Sequence, residues 1–286
     1  MLGSTDGVRL PQRGLQLPDP APDPPSIPDT GEEFERLAAM AWLAEETGFD
    51  SVWVTDHAGA APVEPGGSEL LFEAYSLLGA LATRTQSVGL GVIRRGPTVR
   101  TPSMVAKIVT GVDVISHGRA MLSLGMDPEE PDAIERLGEE LAVCRALLTE
   151  DAPSYAGRFY HLDQALNRPR PVQAGGIPLL VVSDDPAVAE PAARGADAVV
   201  VEGEAAEVEA MVAALDQQCK ATGRDRGAVG VIWSGVVEGG SDGVAGRLRA
   251  MADLGVTGCV FSLADGYDAN VIAVAGEAAS GVFSRR

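Results

Sequence analysis

Eight times along this chain a short run of β-branched and aliphatic residues gives way to a stretch long enough for a helix. That alternation constrains the fold more than any other feature. The runs are Arg13–Leu17, Asp50–Thr55, Ser87–Ile93, Ala120–Leu124, Pro178–Val182, Ala198–Val201, Val229–Trp233 and Gly258–Phe261. Short apolar runs bounded by turn residues read as buried strands. Between them, Thr30-Gly-Glu-Glu33 has the form of a capping box opening a helix that stops near Gly48. Further helices are expected over Leu70–Arg84, Pro102–Val114, Asp132–Leu148, from Pro186, over Ala205–Cys219 and Gly243–Leu254, and after Phe261. One excursion, Ser154 to Gly176, breaks the rhythm and is expected to form a hairpin and loop. Parallel strands need helical crossovers, so the repetition predicts an α/β fold with a parallel sheet. A doubly wound open sheet is the rival; eight units without a second zone of composition fit a (β/α)8 TIM barrel better. A chain of 286 residues suits one such barrel. The expected layout is a proline-rich N-terminal segment, residues 1–30, containing the first strand, and a single barrel domain over 13–286.

Charge narrows the partners. The net charge of −19 argues against nucleic acid and anionic membranes, both of which demand a basic footprint. No apolar run approaches the roughly 20 residues of a membrane helix. Met1 to Leu17 lacks the basic start and apolar stretch of a signal peptide, so a cytoplasmic protein is expected. Cys144, Cys219 and Cys259 stand apart with no C-x-x-C spacing, so neither a disulfide framework nor a metal site is expected. Lys107 and Lys220 are the only lysines against many arginines, a bias that points to a GC-rich, actinobacterial source.

Several segments carry a family resemblance. They are AEETGFDSVWVTDH (Ala44–His57), LATRTQSVGLG, TVRTPSMVAKIVTGVDVISHGRAMLSLG, YAGRFYHLD, RPRPVQ and GADAVVV. In order and spacing they resemble the luciferase-like monooxygenase family. The resemblance implies a barrel with its cofactor at the C-terminal strand ends, either reduced FMN used with oxygen or the deazaflavin F420 used for hydride transfer. It implies a small organic substrate. It also implies a homodimer, or a heterodimer with a catalytic paralogue, formed through helices near the second and third strands. Leu70, Leu71, Phe72, Tyr75, Leu77, Leu78 and Leu81 would serve that contact, although a buried helix reads alike.

The same resemblance nominates site residues. Asp56 and His57 end the second strand, at the barrel face where catalytic side chains collect. The matching histidine in deazaflavin members lies near the ring, and imidazole suits proton movement near neutrality. The plainer reading makes Asp56 a loop anchor and His57 a rim residue. His117 belongs to the opposite end and His161 to the excursion surface. After the third strand the family often places a non-prolyl cis peptide behind the ring, here Ile93–Arg94, which makes Ile93 and Arg94 cofactor-contact candidates. One of Arg94 and Arg95 is expected to face the pocket, with Arg95 the candidate for an anionic substrate; the alternative turns both toward acidic neighbours.

Two departures stand against the resemblance. After the fourth strand, Leu124-Gly-Met-Asp-Pro-Glu129 runs almost directly into a helix, so the usual insertion is absent and Gly125 is left against the cofactor. At the phosphate subsite, glycines and small residues are replaced by Ser183-Asp184-Asp185-Pro186 and Glu202-Gly203-Glu204. Ser183 could still hold phosphate, but each inward carboxylate about 5 Å away would repel a phosphate charge by ~3 kcal/mol. Asp184 and Asp185 would instead be harmless as helix caps turned outward. The sequence therefore supports a flavin- or deazaflavin-dependent oxidoreductase and, beside it, a paralogue that kept the barrel and lost the cofactor. A metal-dependent barrel enzyme using Asp56, His57, Asp127, Asp184 and Glu202 is a third reading.

Overall fold

Side chains alternate between the two faces of each strand and both faces are buried, which sorts the apolar side chains into two layers, one inside a ring of strands and one between strands and helices. The computed structural model describes residues 10–18, 30–56, 72–94 and 100–283. Its strands are β1 (Arg13–Gln16), β2 (Ser51–Asp56), β3 (Gly89–Arg94), β4 (Leu122–Gly125), β5 (Tyr155–Ala156), β6 (His161–Leu162), β7 (Leu179–Val182), β8 (Ala198–Glu202), β9 (Gly230–Val237) and β10 (Gly258–Leu263). The helices are α1 (Thr30–Glu46), α2 (Ala74–Ala82), α3 (Pro102–Ile115), α4 (Ala133–Thr149), α5 (Ala189–Gly195), α6 (Ala205–Thr222), α7 (Gly240–Asp253) and α8 (Ala269–Val282). Eight strands form one parallel sheet in the order β3-β2-β1-β10-β9-β8-β7-β4, and β5 with β6 forms the expected hairpin. A parallel bridge between Leu90 and Ala120 brings the two ends of the sheet together, with Leu90 N donating to Arg119 O and Met121 N to Leu90 O. The result is a nearly closed (β/α)8 barrel.

The lumen is solid. Trp53, Ile93, Met121, Leu180, Val182, Ala198, Val200, Ile232 and Val260 fill it. Trp53 fits only because its neighbours in the adjacent strands are glycines: a Cβ on Gly91 would lie 2.4 Å from the indole, and one on Gly14 2.8 Å. Between strands and helices lies the second layer, including Val52, Val54, Leu90, Val92, Leu124, Val181 and Phe261.

Local chemistry shifts several boundaries. α2 starts at Ala74 rather than Leu70, because the Glu73 carboxylate accepts from the N–H groups of Tyr75 and Ser76 and caps the helix there. Its Tyr75, Leu77, Leu78 and Leu81 are buried within this one chain, which removes them as a dimer face. Leu70 and Leu71 lie outside the described residues. At α1 the Glu33 carboxylate pairs with Arg36. The β5–β6 hairpin is fastened to α4 by Glu139, whose carboxylate accepts from the backbone N–H groups of Arg158, Phe159 and Tyr160 at 2.6, 3.0 and 3.0 Å.

Candidate active site

Side chains alternate between the two faces of a strand, so the register set by Trp53 and its lumen neighbours decides what reaches the mouth. On β2, Trp53 is inside; Thr55 therefore faces the lumen, where its hydroxyl accepts from Gln16 Nε2 at 3.1 Å, and Asp56 faces the helices. On β3, Ile93 is inside and Arg94 outside. On β8 and β9, Val200 and Ile232 are inside, which puts Glu202 and Ser234 on the lumen side, paired with each other in register. Ser234 Oγ is buried and has no hydrogen-bond partner. The upper lumen is thus lined by Gln16, Thr55, Ile93, Gly125, Val182, Glu202 and Ser234.

Arg94 corrects the expectation that it contacts a cofactor. It is 1% exposed and points away from the lumen into the helix layer. There its Nη2 donates to Gly125 O at 3.1 Å and lies 3.5 Å from the Glu140 carboxylate of α4. Tyr160 Oη donates to the other Glu140 oxygen at 2.8 Å. Burial raises the Glu140 pKa, with Arg94 and Tyr160 pulling it back down. Burial and the adjacent Glu140 push the Tyr160 phenol up to about 12. The Ile93–Arg94 peptide is not cis; among the described residues the cis bond is Arg168–Pro169. Arg94 Nε and Nη1 and the Tyr75 hydroxyl remain buried without partners. Above Gly125 the shortened loop borders a cleft of about 140 Å³ lined by Met126, Asp127, Glu130, Arg136, Glu140 and Tyr160, among others.

Asp56 is 4% exposed and bonded to Arg100 Nη1 at 2.9 Å, while Arg100 Nη2 reaches Glu73 at 2.7 Å. That arrangement ties the end of β2 to the starts of α2 and α3, as a loop anchor would. His57 and Arg95 lie outside the described residues. His117 sits with positive φ in the turn after α3, and His161 is exposed in the hairpin. Ser183 Oγ accepts from Asp185 N at 3.1 Å, and Asp185 in turn accepts from Ala187 N at 2.9 Å. Asp184 is exposed. Glu204 caps α6 in a reciprocal box with Glu207 and pairs with Arg247 at 2.6 Å.

Sequence reasoning did not find Glu140, Tyr160 or Ser234. For Glu140 a signal existed: a carboxylate at helical spacing between Leu137 and Cys144, on the face of α4 that is otherwise apolar. Ser234 and Tyr160 carried none, since a serine in a strand and a tyrosine in a hairpin are ordinary.

A family model described as luciferase-like monooxygenase matches residues 18–242 of this chain. The chain belongs to that family. An F420-dependent glucose-6-phosphate dehydrogenase from Microbacterium testaceum is 30% identical over 215 residues, 69% of this chain and 62% of that protein. The enzyme of the same name from Amycolatopsis mediterranei is 31% identical over 59% of this chain and 54% of its own. A 5,10-methylenetetrahydromethanopterin reductase from Methanolobus tindarius is 28% identical over 66% of this chain and 57% of its own. The chain thus spans little more than half the length of these curated relatives. Among solved structures, the coenzyme F420 dependent tetrahydromethanopterin reductase of Methanopyrus kandleri aligns with a TM-score of 0.76 at 17% identity, over 96% of this chain and 99% of that one. A monooxygenase from Streptomyces bottropensis aligns at 0.68 and 20% identity, over 95% and 97%. At these identities the structural likeness speaks for the luciferase-like barrel.

Proposed function

We propose that this luciferase-like barrel is an F420- or FMN-dependent oxidoreductase acting on a small organic substrate. The observation that carries the reading is the family match over most of the chain, with F420-dependent dehydrogenases and a reductase among its relatives. At the C-terminal end of the lumen, Ile93 and the side-chain-free Gly125 supply apolar surface on which a flat ring would rest, and the buried, unpartnered Ser234 hydroxyl a polar contact. Such a cofactor supplies hydride or activates oxygen when bound, and the barrel's part is to position it. His57 is proposed, from the resemblance, to handle a proton beside the ring, and Arg95 to meet an anionic part of the substrate. The phosphate corner does not fit: Asp185 N, Ala187 N and Glu204 N donate to the chain's own side chains, and carboxylates crowd the remaining donors.

That misfit favours a second reading, a family member that has lost its cofactor and serves as a partner subunit or a non-redox barrel. Titrating the purified protein with FMN and with F420, followed by fluorescence quenching, separates the two. Saturable binding below about 50 μM, roughly 6 kcal/mol, is the expected result for the oxidoreductase. Binding of neither would favour the second. The metal-dependent reading loses ground because Asp56 and Glu202 lie on opposite faces of the barrel wall and do not converge. A homodimer, or a heterodimer with a catalytic paralogue, stays a proposal from resemblance, to be checked by sedimentation. No helix among the described residues is long and apolar enough to cross a membrane.

A further inference from the structure

Helix N-termini that follow barrel strands are natural phosphate sites, because their free N–H groups point toward the mouth. In this chain several of them are already bonded within the chain, to carboxylates, a hydroxyl or backbone carbonyls. After β7, Ser183 N donates to Val200 O, Asp185 N to Ser183 Oγ, Ala187 N to Asp185 Oδ1 and Val188 N to Asp185 O. Pro186 has no N–H to give. After β8, Glu204 N donates to Glu207 Oε2 at 2.9 Å, and the Glu204 side chain accepts from the Glu207 N–H in return. The same pattern surrounds the mouth. Glu73 takes the N–H groups of Tyr75 and Ser76 at α2, Asp268 those of Asn270 and Val271 at α8, and Asp265 that of Gly239 before α7. A phosphate entering between β7 and β8 would find Asp185 N, Ala187 N and Glu204 N already bonded within the chain and would face Asp184, Asp185, Glu202, Glu204 and Glu207. Arg247, the cation beside that corner, is held by Glu204 and lies over the Trp233 ring.

We propose that the mouth holds its flavin or deazaflavin by the ring and sugar-alcohol chain alone, with Asp185, Glu204 and Glu207 excluding a phosphate from the β7–β8 corner. The inference rests on the oxidoreductase reading and specifies which form of the cofactor that reading requires. A phosphate then adds no affinity. Where it is present, repulsion weakens binding at low salt, and added salt screens that repulsion.

The test compares riboflavin with FMN, and F420 with its phosphate-free ribityl deazaflavin, by fluorescence quenching of the full chain at about 20 mM and about 500 mM salt. Within each pair the phosphate-free form is expected to bind as tightly as, or more tightly than, the phosphorylated one, with the gap closing in high salt. The isosteric variant Asp185→Asn/Glu204→Gln/Glu207→Gln keeps acceptors for the helix caps and removes three charges. It should tighten FMN binding about fivefold, roughly 1 kcal/mol, and leave riboflavin binding unchanged, which also reports an intact barrel. Phosphorylated forms bound more than tenfold tighter by the wild-type chain, or a variant with unaltered FMN affinity, would overturn the inference. Failure of all four compounds to bind would instead remove the oxidoreductase reading, and the inference with it.

Discussion

Arg94 leaves the end of β3 on the helix side of the sheet, where it bridges Gly125 O and Glu140 beneath the shortened loop. Removing one member of a buried pair strands the other charge, which typically costs 3–5 kcal/mol. Arg94→Ala should therefore lower unfolding free energy at neutral pH by about 3 kcal/mol in urea denaturation. Arg94→Lys should recover only part of it, because the compact ammonium is more strongly hydrated than a guanidinium and costs more to bury. A loss below about 0.5 kcal/mol would show that Glu140 becomes neutral at little cost once Arg94 is gone. Gly91 makes a different demand. With an indole 2.4 Å from where a Cβ would sit, Gly91→Ala must displace Trp53 inside a filled lumen. Overpacking of this kind costs about 1–3 kcal/mol, readable from the urea midpoint followed by tryptophan fluorescence.

At the scale of elements, the chain uses carboxylates as fasteners. Glu45 of α1 accepts from the Ser87 hydroxyl and the N–H groups of Gln86, Ser87 and Val88, fixing the entry to β3. Glu139 does the same for the hairpin. Glu139→Ala should leave the Arg158–Tyr160 backbone without its acceptor and raise the rate of tryptic cleavage at Arg158 severalfold; an unchanged rate would mean that the ion pairs of Arg158 with Asp132 and Glu135 hold the tip by themselves. α2 shows why an apolar helix in a sequence is a poor guide to association. Tyr75, Leu77, Leu78 and Leu81, which fit a dimer face, are buried by the chain's own barrel.

Across the whole molecule, these carboxylates set the response to pH. For Glu45, Glu73 and Glu139, burial works to raise the pKa, but the hydrogen bonds they accept outweigh it and hold each below the usual range. Their contribution is complete above the unfolded value of about 4.3 and is lost as pH falls through their lowered folded values. Glu140 has the opposite sign. Its folded pKa is raised, chiefly by burial, so protonation between that value and about 4.3 favours the folded chain. The melting temperature should hold or rise as pH falls from neutrality through the raised Glu140 value, and fall steeply below about pH 4. Glu140→Gln should abolish the first part and keep the second; a profile unchanged by that substitution would show that Glu140 titrates alike in both states.

Much of this was legible in the amino-acid order. Eight strand–helix units, the hairpin and the family motifs follow from local periodicity and turn chemistry, which neighbouring residues impose on one another. What Arg94, Asp56 and Glu202 do depends on which face of a strand each occupies. Strand parity is fixed only when Trp53 enters the lumen between Gly14 and Gly91. Likewise, whether Asp185 and Glu204 threaten a phosphate or close a helix depends on where their carboxylates turn. That direction is set by the N–H groups that α6 and the Pro186 turn present. Sequence determined the barrel and its kinship; side-chain direction, and with it the chemistry of the mouth, waited for three-dimensional contacts between segments far apart in the chain.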